Sequence, residues 1–493
     1  MFYKSTRSNE KAAKTAAEVI KQGLADDGGL FVPESVPTLS LKEIEALCKE
    51  DYPVRAATIL SKFLSDYTYD ELLEDCRAAY DEKSFVGGAA PLVNIHDRFE
   101  SLELWHGPTA AFKDMALQIM PRLLSRALVK TGEERTALIL VATSGDTGKA
   151  ALEGYKDVPR VKIMVFYPVD GVSRVQKLQM ATQTGSNVNV CAIRGNFDDA
   201  QNGVKVIFGD KAMAETLNQK GYFFSSANSI NWGRLAPQIV YYVSAYCDLL
   251  NAGKCKLGES FNVCVPTGNF GNIFAAYLAK LMGLPIHHMV CASNTNNILT
   301  DFLRTGTYDR NRNFYLTMSP SMDILISSNL ERLLYFTAGS EKTAAYMEAL
   351  KKDGCYTVDA EILAEIRKNF SGYFTNEEET AETIKETYAK YGYLADTHTA
   401  VAIHAAEAYV GESGDTRPMI IDSTASPYKF ANNVYRSVTG KEATSELGAL
   451  DELSAATGTA IPYPLAGLAT RKVNFEKVVD REQMAEAVLE YLN

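Results

Sequence analysis

Ala137-Leu-Ile-Leu-Val-Ala-Thr-Ser-Gly-Asp-Thr-Gly-Lys-Ala150 decides the fold. A short unbroken apolar run ends in a turn of glycine and hydroxyl residues, and a helical pattern starts near Lys149. An apolar run without alternation reads as a strand buried on both faces, which is the mark of a parallel sheet. Working outward, further runs stand at 161–167, 188–193, 222–225, 261–265, 289–292 and 419–422, with helices expected over 199–208, 235–250 and 273–281. Strands alternating with helices in this way predict an α/β fold of parallel sheets wrapped by helices. Ligands in such sheets bind where strands end, so the strand ends are where chemistry is sought.

Four of them carry candidate motifs. The turn 141–150 ends in Gly148-Lys149 and invites a Walker reading, but Thr143 stands where the first Gly is needed and Ala150 where Ser or Thr is needed. What remains is a turn rich in hydroxyls and N–H groups at a helix N-terminus, suited to a carboxylate or phosphate or, more plainly, to a helix cap. Val265-Pro-Thr-Gly-Asn-Phe-Gly-Asn-Ile273 also joins a strand to a helix. Its glycines allow close backbone approach, and it is not the GxGxxG dinucleotide pattern. In Trp105-His-Gly-Pro-Thr-Ala-Ala-Phe-Lys-Asp-Met115, Lys113 has apolar neighbours, where an amine loses its charge more easily and becomes a nucleophile. In Ile420-Ile-Asp-Ser-Thr-Ala-Ser-Pro-Tyr-Lys-Phe430 small hydroxyl residues follow a strand. A Schiff-base lysine, a phosphate cradle, a second anion loop and hydroxyls at a further strand end are together what a pyridoxal phosphate enzyme needs.

The 493 residues carry 50 Lys and Arg against 61 Asp and Glu, a net charge of −11. An acidic field does not attract polyanions, so neither nucleic acid nor an anionic membrane is an expected partner. The eight cysteines include no CxxC pair and none at zinc-ligand spacing from a His, so no metal is expected and reduced core thiols are. Lys4, Arg7, Lys11 and Lys14 faintly imitate a presequence. The first 90 residues read as mainly helical, with helices over 9–23, from about Ser40 and over 65–79, and Gly87-Gly88 and Pro91 suggest a boundary.

The chain resembles threonine synthase, in its microbial and fungal form, over essentially its whole length. The resemblance is carried by Tyr3-Lys-Ser-Thr-Arg7, Gly23-Leu-Ala-Asp-Asp-Gly-Gly-Leu-Phe-Val-Pro33, His106-Gly-Pro-Thr-Ala-Ala-Phe-Lys-Asp114, Ser144-Gly-Asp-Thr-Gly148, Val172-Ser-Arg-Val-Gln-Lys-Leu-Gln-Met180, Asn228-Ser-Ile-Asn231, Gly268-Asn-Phe-Gly-Asn272 and Asp396-Thr-His-Thr-Ala400. It implies the tryptophan-synthase-like fold type II of pyridoxal phosphate enzymes, with two parallel-sheet lobes. The expected organisation is a mainly helical N-terminal domain (1–92), a large lobe (93–135 and 228–493, with a helical insertion near 340–392 and a C-terminal extension) and a small α/β lobe (136–227). A mitochondrial presequence is then not expected, because the N-terminal element belongs to the family's folded start, nor is the S-adenosylmethionine site of plant relatives.

The resemblance further implies that pyridoxal 5'-phosphate is the cofactor and that O-phospho-L-homoserine and water become L-threonine and phosphate, the last step of threonine biosynthesis. A cytoplasmic monomer or homodimer is expected. Lys113 would hold the cofactor and act as the base. Gly268, Asn269, Phe270 and Asn272 would bind the cofactor phosphate, and Thr424 would face the pyridine nitrogen. For the substrate, Ser144, Asp146 and Thr147 are expected at the carboxylate, chiefly through backbone N–H groups, and Lys149, Ser229, Asn231 and Arg234 at the phosphate. His398 and Thr399 are expected to position groups near the cofactor. Ser426 stands where bacterial members often have His. A dehydratase or cysteine synthase of the same fold type is the rival reading; a non-catalytic relative is a second.

Overall fold

The computed structural model describes residues 1–143, 145–170 and 172–493. Strands β1 (Tyr3–Ser5) and β2 (Phe31–Pro33) pair antiparallel. Next come β3 (Leu92–His96) and β4 (Phe99–Glu103), then β5 (Thr136–Ala142), β6 (Val161–Pro168), β7 (Val188–Arg194) and β8 (Tyr222–Ser225). The chain continues through β9 (Phe261–Pro266), β10 (Ile286–Ser293), β11 (Thr307–Asp309), β12 (Cys355–Thr357), β13 (Phe370–Phe374), β14 (Met419–Ser423) and β15 (Val478–Asp480). One sheet has the order β13-β10-β9-β14-β4-β3 and the other β15-β7-β6-β5-β8. All neighbours are parallel except the β3–β4 hairpin. The expected apolar runs all fall in these sheets, at inner positions except for 222–225, which is the edge strand β8, and every residue of β9 and β14 is buried.

Within the helical insertion expected near 340–392, two short pieces on either side of helix Ala360–Arg367 are strands: β12 and then β13, an edge strand of the larger sheet. Residues 478–480, expected with the large lobe, add an edge strand to the smaller sheet. Both strands are short, with too few residues to show a period. The N-terminal helix begins at Ala16 rather than near residue 9, because Thr15 and Glu18 form a capping box there. A helix not expected, Tyr52–Phe63, carries Arg55, whose guanidinium reaches Asp248 at 2.8 Å and Ser244 at 2.8 Å. Tyr3 and Phe63 pack on Trp232, with ring centroids 5.3 and 5.7 Å away. The N-terminal domain is thereby braced on residues 232–251.

The lobes meet where helix Asp146–Tyr155 crosses the short helix Asp114–Leu117. A Cβ on Gly154 would stand 1.8 Å from the Leu117 carbonyl oxygen. Backbone cannot yield as a flexible side chain does, so Gly154→Ala is expected to destabilise the protein by about 3 kcal/mol, the upper range for overpacking. Urea unfolding checks this; an unchanged midpoint would mean that the two helices are not held in contact.

Candidate active site

Four strand-end segments converge. After β4 the chain turns into helix Asp114–Leu117, with Lys113 as its N-cap. Asp114 accepts the Thr109 N–H and hydroxyl at 2.8 Å each, and burial pushes its carboxyl up to about 6. The Phe112 N–H donates to the Thr424 carbonyl at 2.8 Å, and Ala111 bridges to Ala425. Lys113 and Thr424, remote in sequence, are thus neighbours. Lys113 is half-buried and its Nζ donates to Ser321 Oγ at 3.4 Å. Burial holds this amine below the usual lysine range; Asp146 opposes the shift, and Arg234 and Lys429 push with it.

The loop after β9 leads into helix Gly271–Met282. Phe270, its N-cap, is left-handed at φ 61°, and no side chain caps the helix. The first-turn amides and the helix dipole therefore face an anion site. A Cβ on Gly268 would lie 2.8 Å from the Ser321 carbonyl oxygen, so only glycine fits that approach. From below, Ser327 Oγ donates to the Gly268 carbonyl at 2.7 Å, and Asn329 donates twice to the Asn269 carbonyl, at 3.0 and 2.9 Å. Asn272 Oδ1 accepts from Tyr241 and Tyr242, while its Nδ2 is buried without a partner among the described residues. The Tyr242 hydroxyl also lies 2.7 Å from Asp422 Oδ2 and shares its one proton between the two acceptors. Burial pushes Asp422 up to about 7, with Tyr242 and Asn272 pulling it back.

In the turn after β5, Thr143 Oγ1 accepts the amides of Gly145 and Gly148 at 3.0 Å each. The first-turn amides of Asp146 and Thr147 remain for an anion. Ser144 lies outside the described residues. The Asp146 carboxylate faces a cation: Lys429 Nζ stands 2.8 Å from its Oδ1, and Gln176 donates to it at 2.9 Å. Lys429 is buried and donates as well to Gln179 at 2.7 Å and the Thr109 carbonyl at 3.3 Å. Burial raises the Asp146 pKa, but Lys429 and Lys113 outweigh it and hold the carboxyl well below the usual range.

The residues expected at a substrate phosphate divide. Arg234 is buried, its guanidinium donates to the Ala227 carbonyl at 2.6 Å, and its Nε has no partner. Among the described residues no carboxylate pairs with it, and burial pulls it down to about 10. Ser229 is half-exposed beside it in sequence. Asn231 is instead engaged by the fold: its Oδ1 caps Gly233 at 2.9 Å and its Nδ2 donates to the Ile20 carbonyl at 2.9 Å. Lys149 is likewise not free, because Glu153, one helical turn on, pairs with it at 2.9 Å and Gln183 accepts from it. Both side chains thus have partners within the fold.

Sequence reasoning passed over Ser321, Asn329, Arg332 and Lys429. Arg332 is buried and joins three elements: it donates to the Phe31 carbonyl at 3.0 Å, to Asn329 Oδ1 and to the Ile230 carbonyl at 2.6 Å. The N-terminal domain reaches the cofactor loop through it. A Lys in an otherwise apolar, hydroxyl-rich strand end was the one signal for Lys429; nothing local marks the others.

Residues 2–80 match the family model described as threonine synthase N terminus, 102–421 that of pyridoxal-phosphate dependent enzymes and 399–489 that of threonine synthase, C-terminal. Threonine synthase of Pseudomonas aeruginosa is 39% identical over 447 residues, covering 90% of this chain and 91% of that one. The chain belongs to the threonine synthase family. A threonine synthase from Brucella melitensis, solved with PLP bound, superposes with a TM-score of 0.87 at 37% identity, covering 100% of this chain and 98% of the other. Human threonine synthase-like 1 is 40% identical over 443 residues, 87% of this chain, but the match spans only 59% of that longer protein. The fold is that of type II pyridoxal phosphate enzymes, and pyridoxal phosphate is the cofactor of this family. The residues present fit it: an uncapped helix N-terminus and a glycine cradle that a Cβ would fill both point to a phosphate. Among the described residues no helix is long and apolar enough to cross a membrane.

Proposed function

We propose that the chain converts O-phospho-L-homoserine and water to L-threonine and phosphate, using pyridoxal phosphate. The observation that carries this reading is Arg234. A buried guanidinium without a carboxylate, close enough to Lys113 to depress its pKa, calls for an anion beyond the cofactor's own phosphate, because a buried charge needs a partner. Dehydratase substrates bring no such second phosphate.

In this reading Gly268, Asn269, Phe270 and Asn272 hold the cofactor phosphate, and Thr424 meets the pyridine nitrogen. Bound pyridoxal phosphate supplies an electron-poor ring that takes up the charge developing on the substrate's carbons. The amides of Asp146 and Thr147 receive the substrate carboxylate at the helix N-terminus; the expected contact of Ser144 lies outside the described residues. Arg234, with Ser229, receives the substrate phosphate. Lys113, whose charged form burial disfavours, accepts the Cα proton at Nζ and returns it at the end. Lys429 neutralises Asp146, so a carboxylate substrate is not repelled from the loop. The eight cysteines, all free thiols, suit a reducing compartment, and we place the enzyme in the cytoplasm as a monomer or homodimer.

Incubation with pyridoxal phosphate and phosphohomoserine tests the proposal. Threonine and phosphate are expected in equal amounts; ammonia with a keto acid, or no threonine, would overturn it. Arg234→Ala is expected to raise the KM for phosphohomoserine by roughly 10- to 100-fold, the worth of a lost charge-assisted hydrogen bond. An unchanged KM would remove Arg234 from the substrate site.

A further inference from the structure

We propose that Ser321 is a second catalytic residue, a hydroxyl at the Lys113 amine, and that His398 and Asp396 are its positioning residues. The inference rests on Lys113 being the base.

Ser321 sits in the short turn Pro320–Met322. Its hydroxyl accepts from Lys113 Nζ at 3.4 Å, and its carbonyl oxygen backs onto Gly268. Its backbone N–H donates to His398 Nε2 at 3.1 Å. An amide N–H can only donate, so Nε2 carries no proton and the ring proton is on Nδ1. Nδ1 meets Asp396 Oδ2 at 2.8 Å. Asp396 caps helix Thr397–Ser413 through the N–H groups of His398 and Thr399, at 2.9 and 3.1 Å, and also accepts from the Thr399 hydroxyl. Asp396 and His398 are both buried, and the imidazole packs 4.8 Å from the Phe430 ring.

A helix cap needs only the amide bonds to Asp396. The imidazole does more: it fixes the main chain of a turn 77 residues earlier. The same turn is held from the other side by Asn294 Nδ2, which donates to Ser319 Oγ at 3.0 Å and Asp323 Oδ1 at 2.8 Å. The hydroxyl facing Lys113 is therefore fixed from two sides, as a pre-organised group must be.

The proton balance gives it a role. When Lys113 Nζ takes the Cα proton, the C–H bond breaks, its electron pair stays on carbon and a new N–H bond forms. Ser321 Oγ accepts one N–H of the resulting ammonium and steers another toward Cα for the return. No proton leaves through Ser321. Asp146, Arg234, Lys429 and Asp114 also act on this amine, and the variants below leave them in place.

The test compares Ser321→Ala, Ser321→Thr, His398→Leu and His398→Gln with wild type. Ser321→Ala is expected to lower kcat roughly tenfold or more with KM within about twofold, and Ser321→Thr to restore most of it. His398→Leu should mimic Ser321→Ala and cost nothing further when added to it. His398→Gln, whose Oε1 can accept the Ser321 amide, should retain more activity than His398→Leu. The second readout uses cofactor-free protein: with limiting acetic anhydride, Lys113 acetylation relative to exposed Lys205 should rise about threefold in Ser321→Ala, because an acceptor that favours the ammonium is lost. Unchanged acetylation, unchanged kcat or additive losses would overturn the inference. If a His398 variant fails to fold, Ser321→Ala and the acetylation ratio decide. If wild type makes no threonine, the proposed function fails, while the acetylation ratio still reads the contact.

Discussion

Lys113→Ala is expected to lose threonine formation by on the order of 10³-fold or more, since under the proposed function it removes both the attachment point for the cofactor and the base. The expectation rests on placement. Lys113 is the N-cap of a helix whose next residue, Asp114, is fixed by Thr109, so the amine projects from a rigid base. Its charge is unfavourable where it stands, through burial and the nearby Arg234 and Lys429. Truncation should therefore cost little stability: the one hydrogen bond lost is 3.4 Å long, and the cofactor-free urea midpoint should hardly move. The visible absorbance of the cofactor-loaded protein should disappear. Arginine does not rescue, because a guanidinium stays protonated. Activity within tenfold of wild type in Lys113→Ala would place the chemistry elsewhere.

Lys429→Met is expected to have the largest effect on stability. Lys429 follows β14 in the larger lobe, whereas Asp146 opens a helix of the smaller one, and their ion pair is buried on both sides. Removing one partner of such a pair leaves an uncompensated charge and costs about 3–5 kcal/mol. Gln176 would then be the one hydrogen-bond donor left to the Asp146 side chain among the described residues, with only the more distant charge of Lys113 opposing the carboxylate. Lys429→Met with Asp146→Asn should recover most of the loss, because neither charge remains. The measurement is a double-mutant cycle by urea unfolding of cofactor-free protein, and additive losses would show that the lobes are not tied here. The pH sign follows from Asp146. Its folded pKa is depressed, so the stabilisation is complete above the ordinary carboxylate value near 4 and disappears only as pH falls well below it.

The central strands were legible because each is an unbroken apolar run, and the runs at 137–141, 261–265 and 419–422 lie inside β5, β9 and β14. β4 was not legible for a physical reason. Phe99-Glu-Ser-Leu-Glu103 reads as an exposed strand at best, yet all five residues are buried. Lys254 neutralises Glu100, and His106 at 2.7 Å meets Glu103; both partners are invisible in a local pattern. β13, Phe370-Ser-Gly-Tyr-Phe374, contains Gly372, which admits the Thr300 backbone 2.8 Å from where a Cβ would be.

At the site, the motifs announced which loops matter but not which atoms are free. Asn231 and Lys149 were sensible anion ligands by type, and the fold engages both elsewhere. Asp146 was expected to keep its carboxylate away from the substrate, and Lys429 supplies the partner that makes this possible. Ser321, in a three-residue turn, and Arg332, in the first turn of helix Leu330–Asp353, lie between the recognisable motifs, so only the folded chain brings them to Lys113 and to the loop after β9.

Borohydride reduction of the pyridoxal phosphate-loaded protein, followed by peptide mapping, tests the central claim most directly. Reduction fixes the cofactor to the lysine that carries it. A single modified peptide containing Lys113 is expected, with its modification prevented when phosphohomoserine is present during reduction. A label on another lysine, such as Lys149 or Lys429, or no label at all, would contradict it.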